Sequence, residues 1–139
     1  MQQPKDVVAV FVDLRVGEEQ VLYLMAAEDG TTHRMGTGSE SNAERDLFVG
    51  SGTAFPHLKS QIAANLLQWL GDYSDPSPKG KLCRLTIGFR LTGGGEVASR
   101  WEYGTQSQSP APEVCDFVLA AIQATDPWYE QQKAMAGSR

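Results

Sequence analysis

The sequence predicts an α+β domain: an antiparallel sheet of about five to six strands, with two main helices and a short C-terminal helix packed on one face. Three observations favour this class. The strand-like segments follow one another through short turns, as in hairpins. Helix-like segments do not alternate with strands, which disfavours a parallel α/β fold. Glycine, proline and aspartate mark most boundaries. The expected order is β-β-β-β-α-β-β-α-α.

The first four strands are predicted from apolar patterns and turn residues. Residues 7–16 alternate with an apolar even-numbered face, and residues 21–27 are apolar on both faces, so this pair should lie inside a sheet. The Asp29-Gly30 turn leads to a third strand at 31–36, because glycine tolerates the positive φ of a tight hairpin. Residues 37–46 are polar or small and predict a loop before a short strand at 47–49.

The first helix is predicted to begin after Thr53, a candidate N-cap, and to end at Gly71. Its apolar side chains recur at three- and four-residue spacing. They are Phe55, Leu58, Ile62, Leu66 and Trp69. Residues 72–80 contain two prolines and predict an extended connection within the same domain.

The strongest strand prediction is at residues 82–91, which alternate almost without fault. A three-residue turn at Gly93-Gly94-Gly95 would pair Phe89 with Ser99, Ile87 with Trp101 and Leu85 with Tyr103. One face of this hairpin then joins the core. The opposite face collects long charged side chains around an uncovered Gly88. These side chains are Arg84, Arg90, Arg100 and Glu102.

The second helix should start near Ser109 with prolines in its first turn and bury one apolar stripe. The stripe is Val114, Phe117, Val118, Ala121 and Ile122. Asp126-Pro127 is expected to break this helix and to start a third one, from Trp128 to about Met135. Trp128 and Tyr129 should anchor that third helix to the core, and an exposed partner-binding patch is the alternative.

Size and charge restrict the function. With 139 residues, 41% hydrophobic and 21% charged, the chain fits a single domain over 1–139, with flexible ends at 1–5 and 136–139. The longest apolar run, at residues 21–27, has seven residues, too few for a membrane helix, and the first residues do not resemble a secretory signal, so we expect a cytoplasmic protein. The formal charge is −5, and the first fifty residues account for it with nine acidic and four basic side chains. This charge disfavours nucleic acid and favours a more basic protein partner.

Residues capable of chemistry are few. Cys83 and Cys115 form no CxxC pair and are expected to be two reduced, buried thiols. His33 and His57 have no zinc-binding spacing, so we expect neither a metal nor another cofactor. Asp13, inside a strand, is a weak candidate for an active-site acid, and a same-face ion pair with Arg15 is favoured over that role.

A turn of four residues, Gly50-Ser51-Gly52-Thr53, is the most suggestive chemical feature. Backbone N–H groups between a strand and a helix can hold an anion, and His57 next to them is a weak candidate general base. The turn lacks the lysine of a P-loop, and a tight turn with a helix cap is the favoured interpretation.

The functional expectation is a small acidic protein-binding domain without a catalytic centre, in its most specific form an inhibitor or immunity-type protein that neutralises a more basic partner. The candidate binding residues are charged. They are Asp13, Glu18, Glu19, Glu28, Asp29, Arg84, Arg90 and Arg100. One alternative is a small enzyme or anion-binding domain at the turn from Gly50 to Thr53 and His57. Another is a homodimer that forms through the arginine-bearing sheet face.

Overall fold

The computed structural model describes residues 6–38, 46–62, 71–106 and 110–137. These ranges contain seven strands and two helices, and they confirm the α+β class. The elements are β1 (Val7–Val16), β2 (Glu19–Ala27), β3 (Thr31–Met35), β4 (Phe48–Ser51), α1 (Ala54–Gln61), β5 (Gly71–Ser74), β6 (Leu82–Leu91), β7 (Glu96–Gly104) and α2 (Pro112–Gly137). Residues 136 and 137 close α2, while 1–5, 138–139 and most of the predicted loop at 37–46 lie outside the described ranges.

All seven strands form one sheet in the order β4-β3-β2-β1-β6-β7-β5. Neighbours are antiparallel except β5, which runs parallel to β7. The predicted five to six strands were too few, since β5 lies in the segment that the prolines led us to predict as a connection. Its pattern carries no strand signal because Tyr73 is its one large apolar side chain, stacked on Trp101 at 5.7 Å between ring centroids.

Both helices pack on the same face of the sheet, and the core lies between them. α1 contacts β1, β2 and α2, and Phe117 of α2 lies 6.2 Å from Phe89 of β6 between ring centroids. The predicted stripes of both helices supply their part of this core. The central buried side chains are Val10, Val12, Leu22, Leu24, Ile87 and Phe89 from the strands and Phe55, Leu58, Val114, Phe117 and Ala121 from the helices.

The first helix begins where predicted. Thr53 occupies its N-cap position, but the Thr53 side chain makes no capping hydrogen bond. α1 ends at Gln61, and Ile62 already has an extended backbone. The predicted positions Leu66 and Trp69 lie outside the described residues. Gly71 does not end a described helix but begins β5, with a φ of 131° that favours glycine.

The hairpin of β6 and β7 has the predicted odd-with-odd pairing but a register shifted by two residues. Phe89 pairs with Val97, and Ile87 pairs with Ser99. The turn lies one residue earlier than expected, at residues 92–94, since Leu91 donates its N–H to the carbonyl of Gly95. Gly93 and Gly94 both have positive φ in this turn.

The predicted break at Pro127 is wrong, because α2 continues through it as one helix. Proline lacks the backbone N–H that would bond the carbonyl of Gln123. Two neighbouring carbonyls of the same turn accept side-chain donors. Thr125 Oγ1 donates to the carbonyl of Ala121 at 2.8 Å, and Arg34 Nη1 from β3 donates to that of Ile122 at 3.2 Å. No separate C-terminal helix forms in the described residues.

Trp128 and Tyr129 anchor α2 to the sheet, as predicted for the helix that contains them. The Trp128 indole donates to the carbonyl of Ser51 at 2.8 Å. Tyr129 is buried, and its hydroxyl accepts the N–H of Gly36 at 3.1 Å. Neither α1 nor α2, the helices in the described part of the chain, is long and apolar enough to cross a membrane.

Candidate functional site: the uncovered face of the sheet

The face of the sheet opposite the helices has no described helix against it. Strand register identifies the side chains that share this face. In its middle, Phe11 of β1 pairs with Met25 of β2 on one side and with Gly88 of β6 on the other. On one side the pairing continues through His33 of β3 to Val49 on the edge strand β4, and on the other side it continues from Gly88 to Ala98 on β7. We call these six residues the central row: Val49, His33, Met25, Phe11, Gly88 and Ala98.

The central row is apolar along nearly all its length and partly open to solvent. Val49 is 60% exposed, while Met25 and Phe11 are half-buried. Next to it, Leu47 before β4 is 54% exposed. An apolar row across six strands, with no described helix over it, is a type of surface that commonly marks a contact site.

Gly88 is not the bare slot that we expected between arginines. The ring of Phe11 lies directly over it, and a Cβ added at Gly88 would overlap the ring atoms. Glycine is needed here because the aromatic side chain of the neighbouring strand occupies the space above its backbone. The flat gap for an anion is therefore filled by Phe11.

The three predicted binding arginines each face a carboxylate. Arg90 Nη2 lies 3.1 Å from Glu96, Arg100 Nη1 lies 3.5 Å from Asp72, and Arg84 Nε lies 4.0 Å from Glu102. Asp72 is a partner that the sequence patterns missed, because β5 was not predicted. These exposed pairs balance the charge on the β6-β7-β5 half of the face.

Asp13 lies on the same face and is held by two neighbours. Gln20 donates its side-chain amide to Asp13 at 2.8 Å, and Arg15 Nε lies 3.6 Å away, which agrees with the favoured interpretation of a same-face ion pair. Tyr23 pairs with Asp13 across the strands. Burial, and secondarily the Asp13 carboxylate, raise the pKa of Tyr23, since both oppose a second negative charge there.

The four acidic binding candidates do not form one patch. Glu18 and Glu19 lie at the turn between β1 and β2, and Glu28 and Asp29 lie at the turn between β2 and β3. These turns are at opposite ends of β2, about 30 Å apart at about 3.4 Å per residue. Asp29 accepts the N–H of Thr31 at 2.9 Å, and this hydrogen bond lowers the pKa of its carboxyl.

The turn from Gly50 to Thr53 is occupied by the protein itself. Gly52 donates its N–H to the carbonyl of Gly30 at 2.8 Å, and the indole of Trp128 packs against Gly50 and Gly52. The glycines therefore make room for a tryptophan. The side chain of His57, one turn into α1, is exposed. His57 is on the helix side of the sheet and Asp13 on the other side, so the two weak catalytic candidates do not meet.

The cysteines differ from the expected pair of buried thiols. Neither forms a disulfide, but only Cys83 is buried, whereas Cys115 is exposed on α2. The prediction for Cys115 was wrong because it lies beside the buried stripe of α2 and not on it. Within the described ranges, no three His, Cys, Asp or Glu side chains come together as metal ligands.

A concavity of about 600 Å³ lies beside the turn between β1 and β2, at one end of the uncovered face. Its walls come from β2, the end of β3 and the residue before β4, so no local sequence pattern could reveal it. The lining residues are Glu19, Gln20, Tyr23, Met35 and Leu47.

Comparisons were made with protein-family models, with curated proteins and with solved structures. None of the three gives a match for this chain.

Proposed function

We propose that the chain is a protein-binding domain that binds a more basic protein through the uncovered face of its sheet. The central row carries this proposal. Specific protein interfaces combine an apolar centre with a polar, charged rim. The row from Val49 to Ala98 would supply the centre, and the ion pairs and acids beside it would supply the rim.

The β4-β3-β2-β1 half of the face suits a basic partner better than the other half. It contains Val49, Met25 and Phe11, and an acidic pair stands at each end of β2. On the β6-β7-β5 half the arginines already face carboxylates. A basic surface would be steered by the two acidic ends and then bury the apolar residues between them.

The most specific form of the proposal is inhibition, in which this domain covers a working surface of its partner as an immunity-type protein does. The enzymatic alternative gains no support, because Asp13 and His57 lie on opposite sides of the sheet. We place the binding in the cytoplasm, and two cysteines that form no disulfide suit a reducing compartment.

Site-specific photo-crosslinking in the native cell tests the proposal. A photoreactive amino acid is placed at Val49, on the central row, or at Leu119, on α2. The two side chains are matched in exposure, at 60% and 53%. We expect Val49 to crosslink to a basic protein and Leu119 not to do so, and we expect the purified pair to bind more weakly as salt rises.

Two results would overturn the proposal. Crosslinking of the same partner from Leu119 as strongly as from Val49 would place the contact elsewhere. Crosslinking of Val49 only to a second copy of this chain would favour the homodimer.

A further inference from the structure

The uncovered face carries an apolar strip that follows β2 and extends onto both of its neighbours. Tyr23, Met25 and Ala27 alternate onto this face from β2, and Met25 lies between Phe11 of β1 and His33 of β3. All five side chains are half-buried, and the rings of Tyr23 and His33 lie 6.3 Å apart between centroids. No described helix covers this side of the sheet, so the strip leaves apolar surface open to a partner.

An exposed acid lies beyond each end of the strip. Glu18 is in the turn before β2, and Glu28 is in the turn after it. Among the described residues, neither carboxylate has an ion-pair partner. The two turns are about 30 Å apart, at about 3.4 Å per residue along β2. A partner on this strip therefore meets two separate negative charges with apolar surface between them.

The strip restricts the kind of element that can cover it. β1, β2 and β3 each pair with a strand on both sides, so their backbone groups are used within the sheet and no partner strand can add to them. An α-helix bonds its own backbone and presents only side chains. Its diameter of about 10–12 Å matches three strands spaced about 4.8 Å apart, and a span of about 30 Å corresponds to about twenty helical residues.

We infer that the strip along β2 binds an amphipathic helix of the basic partner, about twenty residues long, with basic side chains in its first and last turns and an apolar stripe between them. The inference rests on the proposed function, which supplies the partner. It adds the element that the partner presents and the direction in which that element lies. The bound helix would form a third layer, since α1 and α2 already cover the opposite face.

Designed peptides test the inference without the natural partner, using the full chain labelled with ¹³C-methyl methionine. The helical probe has about twenty residues, with lysines in both end turns and leucines along one side of its middle. The matched peptide has the same charge but carries proline in place of one central alanine.

The methyl group of Met25 reports on the strip, and that of Met135, exposed on α2, is the reference. We expect the helical probe to shift Met25 with a dissociation constant on the order of 10–100 μM. The proline peptide should bind at least about tenfold more weakly, because proline breaks the helix.

Two double variants separate the end charges from overall charge. Glu18→Gln with Glu28→Gln removes one acid at each end of the strip. Asp116→Asn with Glu130→Gln makes the same change in net charge at exposed positions of α2, on the other side of the sheet. At low salt we expect the first variant to weaken binding of the helical probe by about fivefold or more, and the second to change it by less than about twofold.

Four results would overturn the inference. They are no shift of Met25, equal binding of the two peptides, equal effects of the two double variants, and a shift of Met25 when the concentration of the chain alone is raised. The last result would make a second copy the occupant of the strip.

Failure of the inference can be distinguished from failure of the proposed function. Crosslinking of a basic protein from Val49 without peptide binding would keep the binding face and remove the helix. A shift of Met25 by the helical probe without any crosslink from Val49 would keep the helix-binding strip and remove the basic partner in the cell.

Discussion

The guanidinium of Arg34 lies 2.9 Å from the carboxylate of Asp126 and joins β3 to α2. Arg34 is 1% exposed, and its other partners are the carbonyls of Gly36 and Ile122, the hydroxyl of Thr125 and the ring of Tyr129, 4.5 Å from the guanidinium carbon. Asp126 is 47% exposed on its side chain. The counter-ion of this fully buried cation is therefore a carboxylate that is half-exposed to solvent.

This asymmetry predicts the effect of Asp126→Ala. Removing Asp126 leaves the buried charge of Arg34 without its counter-ion, although its neutral hydrogen bonds remain. We expect a loss of about 2–3 kcal/mol in the free energy of unfolding, below the full cost of breaking a buried pair because water reaches Asp126. Urea denaturation measures it.

The matched control is Glu130→Ala, four residues further along α2. Glu130 pairs with Lys133 at 2.8 Å on the helix surface, so its loss should cost less than about 1 kcal/mol. Equal losses for the two variants would contradict a special role for the pair of Arg34 and Asp126.

Gly88→Ala should destabilise the protein because the new methyl group overlaps the ring of Phe11. We expect a cost of about 1–3 kcal/mol, the usual range for overpacking. In a Phe11→Ala background the space is open, so the same change should cost little. Gly95→Ala, where a Cβ meets nothing within 4 Å, is the control and should stay within about 0.5 kcal/mol. Additive losses for Gly88→Ala and Phe11→Ala would show that the two do not compete for space.

Stability should fall at alkaline pH partly through Tyr103. Burial raises the pKa of Tyr103 to about 12, with Cys83 and Cys115 adding to the effect, from an ordinary value of 10.0. As pH rises from about 10 to about 12, the unfolded chain releases this proton before the folded one does, so unfolding becomes easier. The contribution of Tyr103 to the free energy of unfolding is complete below about pH 10. It is lost as the pH rises through the pKa of about 12 that Tyr103 has in the folded protein. In Tyr103→Phe this part of the fall should disappear.

Denaturation of both proteins between about pH 8 and pH 11 gives the measurement. The difference in unfolding free energy between the original chain and Tyr103→Phe should be constant below about pH 10 and shrink above it. Parallel curves over the whole range would show that Tyr103 ionises equally in both states.

Removing the four acids at the two ends of β2 should slow association with a basic partner. The quadruple variant replaces Glu18, Glu19, Glu28 and Asp29 by their amides. We expect the association rate to fall about tenfold at low salt and the salt dependence to flatten, while the dissociation rate changes little. Stopped-flow mixing with the crosslinked partner measures both rates.

A control variant removes four acids that lie outside the two turns of β2. They are Asp75, Glu113, Asp116 and Glu130. It makes the same change in net charge, so an equal fall in rate would mean that total charge steers the partner and that the ends of β2 are not special.

Sequence patterns predicted the elements well and their arrangement less well. Alternation predicted both ends of β6 correctly, because successive side chains of this strand point alternately into the core and to the opposite face of the sheet. The predicted register of the hairpin was wrong. Turns at 92–94 and at 93–95 both pair odd-numbered residues with odd-numbered residues, so alternation does not distinguish them. Cross-strand charge could have decided it, because the observed register places Arg90 opposite Glu96 and Arg84 opposite Glu102.

Several features of the structure depend on contacts between residues far apart in the sequence, which local sequence patterns do not predict. Local rules predict that Pro127 ends a helix, but α2 continues through it, and Arg34, far away in the sequence, bonds this part of α2 to β3. The central row depends on the register of six strands at once, and the order of strands in a sheet is not written in any single segment. The arginines were predicted on the right face, but Asp72 opposite Arg100 could be found only by placing β5.

The position of β1 in the sheet affects how this chain can aggregate. Its start, Val7 to Val12, is an apolar and β-prone run of the kind that builds amyloid when it is exposed. In the sheet β1 has three strands on each side, and both outermost strands are only four residues long. Short edges offer few free backbone groups for another chain to extend. The hazardous segment thus becomes available only when a large part of the sheet opens, so fibril formation should follow global unfolding and not fraying at an edge.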